Sequence, residues 1–373
     1  MSDGLLFSIE RRSLSSHCEI RPEMPTPLPT TTSTPPVTVA LPTYNGARHL
    51  ADALRGILAQ EGVPFDLLVC DDRSDDETVS LVRSLAGDRA RIEINPERLG
   101  LAGNWNRCAA LARTPLLAIV HQDDILLPGH LAAHVDAFAR LPGLGMAISA
   151  VEVIDAADRP IPPTVIERPD LGPAERLFPP PAFVAELAHR NPVRCSAVTL
   201  RAEALASIGG FDPSYRYAVD WECWLRLARR WPVCWLPLPS VAVRWHPDSE
   251  THRFKRGSAD LDELALLLDQ IHTLDRPSLP HPSRSRRLAH RLLGRAFLNR
   301  SLDALHAGDA PLALRCLRRS LSLSPALLLL LARDPRLAAQ MTALSLAPRW
   351  ASRRFRHPDQ PGQADSVPTS GPA

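Results

Sequence analysis

Hydrophobic positions follow two alternating spacings between residues 37 and 154 of the chain. Short apolar runs that are rich in β-branched residues and bounded by turn residues are typical of buried strands, whereas apolar residues three and four positions apart indicate amphipathic helices. These patterns predict strands at 37–42, 66–72, 91–95, 115–120 and 146–154, and helices at 47–60, 76–87, 101–113 and 130–141. Regular alternation of strand and helix with short loops predicts a mostly parallel, doubly wound α/β sheet flanked by helices.

The second half of the chain has a less regular pattern. Beyond a Pro-rich crossing, apolar runs predict strands at 195–201, 231–237 and 241–246, with a helix at 219–230. From residue 257 only helical spacing remains, as in LDELALLLDQIHTL and APLALRCLRRSLSLSP. The sequence therefore predicts an α/β domain followed by an all-helical C-terminal extension.

Composition sets the outer boundaries of these regions. Both ends of the chain are rich in Pro, Ser and Thr, and segments of that kind cannot bury enough apolar surface to fold. We therefore expect a disordered N-terminal segment at 1–36, the α/β domain at 37–256, the helical region at 257–350, and a basic, then Pro-rich, disordered tail at 351–373.

Charge and cysteine usage exclude several classes of protein. The formal net charge of +2 gives no electrostatic case for a nucleic-acid partner. Seven widely spread cysteines without a C-x-x-C pair indicate buried thiols rather than a disulfide framework or a zinc knuckle. The first residues lack the basic-then-apolar order of a signal peptide, and the apolar run at 326–332 is far shorter than the roughly 20 residues that cross a bilayer. We expect a cytoplasmic protein.

Polar residues follow three of the predicted parallel strands at the point where each strand ends. Ligands of such sheets bind outside the carboxyl ends of the strands, so these residues predict a ligand site at one edge. Asp123 and Asp124 stand side by side after an apolar run, and their like charges repel unless a partner relieves them. A bound cation and capping of the following helix are the two alternatives. The polar groups are Pro42-Thr43-Tyr44-Asn45, Asp71-Asp72 and Gln122-Asp123-Asp124.

Five segments between residues 37 and 251 resemble, in order, glycosyltransferase family 2, whose members have the Rossmann-like GT-A fold. The resemblance implies an inverting hexosyltransferase that moves a sugar from a UDP-type or dTDP-type nucleotide donor to a hydroxyl of a glycan, lipid-linked or protein-linked acceptor. It also implies a divalent cation, Mn²⁺ or Mg²⁺. The segments are VTVALPTYNGARHLADALRGILAQ, VCDDRSDDET, IVHQDDILLPGHL, IGGFDPSYRYAVDWECWLRLAR and VAVRWHPDSET.

The resemblance assigns the metal site to Asp124, which matches the last Asp of the family's D-x-D motif, and to His246. Asp123 then faces the ribose or sugar hydroxyls of the donor. A hard oxygen ligand suits Mg²⁺ or Mn²⁺. Gln122 departs from the pattern, because many relatives have the first Asp there, and it leaves the predicted site with one carboxylate fewer.

The resemblance assigns to Asp72 the contact with the donor base, in which its carboxylate accepts the N3–H of uracil or thymine. Asp76 matches the same segment, but capping of the following helix is its favoured role. Arg244 and His252 are lesser candidates for contacts to the diphosphate. The residues that line the same edge are Pro42, Tyr44 and Asn45.

The resemblance assigns the general base to Asp220 and the acceptor side of the site to the segment around it. Glu222 is the alternative, but two positions along a helix turn it away from the face of Asp220. Trp221 and Trp224 are candidates to stack on an acceptor sugar, and core packing is the alternative for Trp224.

Two other functions compete with the transferase. A catalytically silent GT-A scaffold that docks a partner on its C-terminal helices is favoured by Gln122. A nucleotidyltransferase needs a glycine-rich and basic phosphate loop after the first strand, and PTYNGARHL does not supply one. The C-terminal helices are candidates for holding an acceptor carrier, forming a homodimer, or contacting the inner face of a membrane through the basic stretch at 349–357.

Overall fold

The structure of the protein, a computed structural model, describes residues 36–162, 170–246, 249, 254, 257–328 and 333–356. Most of the N-terminal segment and tail predicted to be disordered, together with His252, lies outside these residues. Within them, no helix combines the length and the apolar character that crossing a membrane requires.

One sheet organises the α/β part of the molecule. Along the path β3-β2-β1-β4-β8-β6-β9-β5, neighbouring strands are hydrogen-bonded, and β7 pairs with β9 on the side. The strands are β1 (Val37–Thr43), β2 (Phe65–Asp71), β3 (Ala90–Ile94), β4 (Leu116–Ile119), β5 (Ile125–Leu126), β6 (Met146–Ile154), β7 (Arg176–Phe178), β8 (Val198–Arg201) and β9 (Val233–Arg244).

Helices cover both faces of this sheet and then form the C-terminal region. Those of the α/β part are α1 (Ala47–Leu58), α2 (Thr78–Ala86), α3 (Gly100–Leu111), α4 (His130–Arg140), α5 (Val184–Leu187), α6 (Ala202–Ser207) and α7 (Val219–Ala228). The C-terminal helices are α8 (Ala259–Leu274), α9 (Pro282–Ala307), α10 (Ala310–Leu323), α11 (Pro335–Leu346) and α12 (Pro348–Arg354). The last of them crosses the boundary predicted at residue 350.

The sheet combines parallel pairs, which include the long pairing of β6 with β9, with shorter antiparallel pairs. Strands β1 to β4 run parallel to one another, as the alternating pattern predicts. Strand β8 then runs antiparallel to both β4 and β6, and β5 and β7 run antiparallel to β9. Parallel pairing needs a long crossover, whereas these later strands follow turns and irregular connections.

The two strands predicted at 231–237 and 241–246 are a single strand, β9. Pro237 and Pro239 cannot donate to the ladder with β6, and prolines inside a sheet are tolerated at bulges. The pairing shifts register there, with Ser149 opposite Leu236 and Ala150 opposite Pro239. The strand thus continues through the interruption that the sequence pattern indicates.

The two faces of the sheet bury separate hydrophobic clusters, because successive residues of a strand point to opposite sides. In β1, Ala40 belongs to one cluster, and Val39 and Leu41 belong to the other. The cluster with Ala40 also contains Trp224 of α7 and Phe297 of α9. The C-terminal helices therefore share a core with the α/β part. The described cysteines, Cys70, Cys108, Cys195, Cys223, Cys234 and Cys316, are all buried free thiols.

Candidate active site

A cleft of about 1200 Å³ opens at the carboxyl ends of β1, β2 and β4 and reaches α7, α8 and α9. The sheet brings together the polar groups that the sequence places after three separate strands. The predicted site residues that line this cleft are Pro42, Tyr44, Asn45, Asp72, Asp123, Asp124, Asp220, Trp221 and His246.

An acidic group lies where β4 ends. One ligand atom from each of His121, Asp123 and Asp124 lies within 4.8 Å of the others. Asp124 is buried, and its carboxylate accepts hydrogen bonds from the Ser196 hydroxyl at 2.6 Å and from the backbone N–H of Arg244 at 3.0 Å. Burial, and then the neighbouring charge of Asp123, raise the pKa of Asp124 to about 6. A cation bound here would stabilise the ionised form of Asp124 and lower its pKa.

His121 completes this group and is the residue that sequence reasoning missed. Its ring stacks on Trp105 with the ring centres 5.3 Å apart, and its Nδ1 atom lies 3.9 Å from the Asp124 carboxylate. Its Nε2 atom is buried and has no hydrogen-bond partner in the described part of the chain. The available signal was its place directly after the strand, on the same edge as Asp123 and Asp124.

His246 pairs with Asp123 rather than with Asp124. Its Nε2 atom lies 3.0 Å from Asp123 Oδ2, and its ring packs 4.9 Å from that of His49. Burial opposes ionisation of Asp123, but the hydrogen bond from His246 and the charge of His121 outweigh it and bring the pKa of Asp123 below its ordinary value. In this structure His246, the second metal ligand predicted from the sequence, orients a carboxylate of the acidic group.

Gln122 is turned away from the acidic group. Its side-chain amide accepts from the backbone N–H of Tyr44 at 2.9 Å and donates to the carbonyl of Tyr44 at 3.0 Å. Gly46 leaves room for it, because a Cβ there would come within 2.1 Å of Gln122 Oε1. A carboxylate could accept but not donate, so the departure from the family pattern fits a structural role in holding the turn between β1 and α1.

Asp72 holds the loop that begins α3. Its carboxylate accepts from the side chain of Asn95 at 2.9 Å and from the backbone N–H groups of Leu99 at 2.7 Å and Gly100 at 2.8 Å. A carboxylate has about four acceptor positions, so one remains for a ligand. Its predicted contact with the donor base is compatible with this arrangement.

The carboxylates of Asp71 and Asp76 stabilise the turns near Asp72 through hydrogen bonds. Asp71 accepts from the hydroxyl of Thr43 at 2.8 Å and from the backbone N–H of Ser74 at 2.8 Å, which ties the end of β1 to that of β2. Asp76 accepts from the backbone N–H groups that open α1 and α2, those of Ala47 at 3.2 Å and Thr78 at 3.0 Å. The Asp76 side chain thus caps the N-termini of both α1 and α2.

Tyr44 and Asn45 form the turn after β1. The guanidinium of Arg98 lies 3.6 Å from the centre of the Tyr44 ring, a cation–π contact that covers one face of the ring. Asn45 has a φ of +46°, a left-handed conformation in which asparagine is common, and its side-chain oxygen accepts from the backbone N–H of Asp75 at 3.0 Å.

Asp220 lies at the start of α7. It accepts from the backbone N–H of Trp221 at 2.7 Å and from the side chain of Asn191 at 3.0 Å. Burial raises the pKa of Asp220, and these hydrogen bonds only partly offset the effect. The runner-up, Glu222, forms an ion pair with Arg226 at 2.6 Å and does not line the cleft.

The two predicted stacking tryptophans have different positions. Trp221 lines the cleft, and its indole N–H donates to the carbonyl of Leu187 at 3.1 Å. Trp224 is only 1% exposed and packs edge-on against Phe211, with the ring centres 6.1 Å apart. The prediction that Trp224 offers a face to the acceptor is wrong, because the side chain lies in the core.

Arg244 is also engaged inside the protein. Its Nε atom donates to the carbonyl of Asp123 at 3.1 Å, and its guanidinium pairs with Asp158 and, at 3.4 Å, with Asp52. The side chain is buried, and its charge is directed towards these carboxylates. The predicted contact of Arg244 with a diphosphate is therefore not supported.

Glu263 of α8 supports the loop that leads into α7. Its carboxylate accepts from the backbone N–H groups of Arg216 at 2.9 Å, Tyr217 at 2.8 Å and Ala218 at 2.6 Å. Three donors on one carboxylate fix the approach to Asp220. No local signal in the sequence indicates this contact, because the three donors precede Glu263 by 45 to 47 residues.

Known proteins resemble this chain in sequence. The sequence model of the family described as Glycosyl transferase family 2 matches residues 38–184. An uncharacterized protein of Mycobacterium tuberculosis is 31% identical over 230 residues, which cover 57% of this chain and 67% of that protein. A UDP-Glc:alpha-D-GlcNAc-diphosphoundecaprenol beta-1,3-glucosyltransferase of Escherichia coli is 28% identical over 99 residues, which cover 26% of this chain and only 39% of that enzyme.

Solved structures resemble it in fold. S. aureus TarS 1-349 in complex with UDP-GlcNAc matches with a TM-score of 0.53 and 12% identity, over 86% of this chain and 90% of that chain. The mannosyltransferase PcManGT from Pyrobaculum calidifontis, in complex with GDP-Man and Mn²⁺, matches with a TM-score of 0.50 and 20% identity, over 87% and 84%.

The mixed sheet, its flanking helices and these structural likenesses define a GT-A glycosyltransferase fold. The chain belongs to glycosyltransferase family 2. The family, the fold class with its helical C-terminal region, and the enzyme class predicted from the sequence are thereby confirmed.

Proposed function

We propose that this protein transfers a sugar, with inversion, from a UDP-type or dTDP-type nucleotide donor to a hydroxyl of a glycan, lipid-linked or protein-linked acceptor. The observation that carries the proposal is one cleft lined both by the acidic group after β4 and by Asp220 of α7. Donor and acceptor chemistry need different groups that approach from different elements, and the cleft supplies both. The structural neighbours TarS, bound to UDP-GlcNAc, and PcManGT, bound to GDP-Man, support a nucleotide sugar as the donor.

The acidic group suits a divalent cation. Its two carboxylates and one imidazole are ligand types that Mn²⁺ accepts, and Mg²⁺ is bound by such carboxylates as well. The Nε2 atom of His121 is buried and has no hydrogen-bond partner among the described residues, and the pKa of Asp124 is raised. A bound cation would supply a partner for the imidazole and lower the pKa of Asp124. When bound, the ion neutralises the negative charge that develops on the diphosphate leaving group. Asp124, Asp123 and His121 would hold it, with His246 orienting Asp123.

Asp220 is the proposed general base. A carboxylate accepts a proton best when its pKa lies near the working pH, and burial shifts the pKa of Asp220 in that direction. The acceptor hydroxyl gives its proton to Asp220 and forms the new bond to the anomeric carbon, while the bond from that carbon to the donor phosphate oxygen breaks. Attack from the face opposite the diphosphate inverts the configuration.

The scaffold alternative loses its main support. It depended on Gln122 as a sign of a degraded metal site, and Gln122 is engaged with the backbone of Tyr44. Asp123 and Asp124, together with His121, form the acidic group without it.

Calorimetric titration with UDP, with and without Mn²⁺, tests the donor site. We expect Mn²⁺ to raise UDP affinity at least about ten-fold in the parent protein, since an ion held by Asp123 and Asp124 would offset the negative charge of the diphosphate. Asp124→Asn should remove this gain, while Asp88→Asn, at an exposed turn remote from the cleft, should keep it. Equal UDP affinity with and without Mn²⁺ in the parent protein would contradict the proposal.

A further inference from the structure

One short segment between α5 and β8, residues 191–196, contacts both Asp220 and Asp124. At its beginning, the side-chain amide of Asn191 donates to Asp220 Oδ2 at 3.0 Å. At its end, the hydroxyl of Ser196 donates to Asp124 Oδ2 at 2.6 Å. Residues 191–196, the bridging segment, therefore connect the carboxylate at the start of α7 with a carboxylate of the acidic group after β4.

A second hydrogen bond fixes the orientation of the Asn191 side chain. Its Oδ1 atom accepts from the backbone N–H of Val193 at 3.0 Å, which is a local turn typical of asparagine. Only the NH₂ group then remains to face Asp220. Asp220 receives this donor and the backbone N–H of Trp221, so two hydrogen bonds from different elements set the direction of its carboxylate.

The hydroxyl of Ser196 connects two members of the acidic group. Besides donating to Asp124, it accepts from the backbone N–H of His121 at 3.0 Å. Ser196 is fully buried, and a hydrogen bond of 2.6 Å from a hydroxyl to a carboxylate is charge-assisted. The other oxygen of Asp124 accepts from the backbone N–H of Arg244, so the carboxylate cannot turn without losing a partner.

The bridging segment limits how far apart its two contacts can lie. The chain from Asn191 to Ser196 spans at most about 18 Å even when it is fully extended. A 3₁₀ turn over Cys195–Ala197 shortens it further. The residues between the two ends of the segment also line the cleft: Val193, Arg194 and Cys195.

We propose that Asn191 and Ser196 are positioning residues for sugar transfer, which hold the general base and the acidic group at a fixed separation. The inference rests on the proposed function. In-line attack needs the acceptor hydroxyl and the leaving diphosphate to be aligned, and a misplacement of about 1 Å can cost about 10²-fold in rate. Neither residue lies in a segment that resembles the family, and their carboxylate partners lie 29 and 72 residues away.

Asn191→Asp tests the contact with the base. The new carboxylate can still accept from Val193, so the local turn is kept, but its second oxygen brings a like charge against Asp220. The two carboxylates then share a proton, and the acid limb of kcat/KM should move about one pH unit higher, which is a ten-fold lower rate at a given pH on that limb. The affinity for UDP with Mn²⁺ should be unchanged.

Hydrolysis of the UDP- or dTDP-sugar that the full chain turns over fastest gives this pH profile. The matched control is Asn299→Asp, which adds the same charge at an exposed position of α9 that does not line the cleft. It should keep the acid limb of the parent protein.

Ser196→Ala tests the contact with the acidic group. Without the hydroxyl, Asp124 loses a donor and the N–H of His121 loses its acceptor. The Mn²⁺ concentration that gives half of the gain in UDP affinity should rise about ten-fold, and the acid limb should not move. The matched control is Ser301→Ala, which removes an equally buried hydroxyl bonded to the carbonyl of Ala313, and it should keep the parent Mn²⁺ requirement.

The outcomes separate this inference from the proposed function. If Asn191→Asp keeps the parent acid limb, or if Ser196→Ala keeps the parent Mn²⁺ requirement, the positioning role is wrong and the transferase stands. UDP binding without Mn²⁺ checks that Ser196→Ala is folded, and if it is not, the pH profile of Asn191→Asp decides alone. If the parent protein turns over no nucleotide sugar, the proposed function fails, and this inference fails with it.

Discussion

At the scale of single residues, the side-chain amides of Gln122 and Asn106 stabilise two loops around the cleft. Gln122 pairs with both backbone groups of Tyr44, and Asn106 pairs in the same way with Phe211, at 2.7 Å and 2.8 Å. An amide both donates and accepts, which is what an exposed peptide edge requires. The loops near the donor side and the acceptor side are thus fixed by the same chemistry.

Gln122→Glu tests this structural role. The substitution replaces a donor by a carboxylate oxygen that faces the carbonyl of Tyr44, so the free energy of unfolding should fall by about 1–3 kcal/mol. Gln270→Glu is the matched control, because Gln270 accepts from the hydroxyl of Tyr215 and a glutamate can still accept. Chemical denaturation measures both variants, and equal stability would show that the contact with Tyr44 is unimportant.

The protonation of Asp220 should control the rate on the acid side. Burial raises its pKa, so the base becomes protonated at a higher pH than an ordinary aspartate, and kcat/KM should fall as the pH falls through that value. Asp220→Asn should lower the rate of nucleotide-sugar hydrolysis about 10²–10⁴-fold and remove the acid limb, with UDP affinity retained. An unchanged pH profile in this variant would exclude Asp220 as the base.

At the scale of elements, helix α8 positions the loop before α7 through Glu263. Glu263→Gln keeps the shape but replaces one acceptor oxygen by an amide that faces a backbone N–H. We expect turnover to fall about ten-fold with the KM for the donor unchanged, because the loop before Asp220 loosens while the donor site stays intact. Glu203→Gln, an exposed change on α6, is the control. Equal losses in both variants, or a rise in donor KM alone, would argue against positioning.

Helix α4 buries two histidines against the sheet. The rings of His130 and His134 lie 4.1 Å apart, and His130 Nδ1 lies 2.8 Å from the hydroxyl of Ser240. Burial lowers the pKa of His130 to about 3, and burial and then His130 lower that of His134 well below its ordinary value. The unfolded chain therefore binds protons below about pH 6.5 that the folded protein excludes.

The stability of the protein should therefore fall with acid. The contribution of the two neutral histidines to the free energy of unfolding is fully present above about pH 6.5. Below that value it should decrease by about 1.4 kcal/mol per pH unit for each of the two histidines. His134→Leu should remove one of these contributions, which unfolding at pH 5 and pH 8 measures. His281→Gln changes an exposed histidine and should keep the parent slope. Identical slopes in His134→Leu and the parent protein would contradict burial of a neutral ring.

At the scale of the whole molecule, local patterns and long-range contacts differ in what the sequence reveals. The parallel strands β1 to β4 follow from local spacing, and motifs indicate Asp124 and Asp220 before any coordinates. The roles of Gln122 and Glu263 depend on partners 78 and 45 to 47 residues away. Spacing alone does not fix which strand lies beside which, or which side chain meets a distant loop.

The central claim is inverting sugar transfer, and turnover of nucleotide sugars tests it most directly. The full chain is incubated with Mn²⁺ and a panel of UDP- and dTDP-sugars, and proton NMR follows the anomer of the sugar first released to water. We predict turnover of at least one donor, release of the anomer opposite to that of the donor, and loss of turnover in Asp124→Asn and Asp220→Asn. Release of the retained anomer, or no turnover of any donor, would contradict the account.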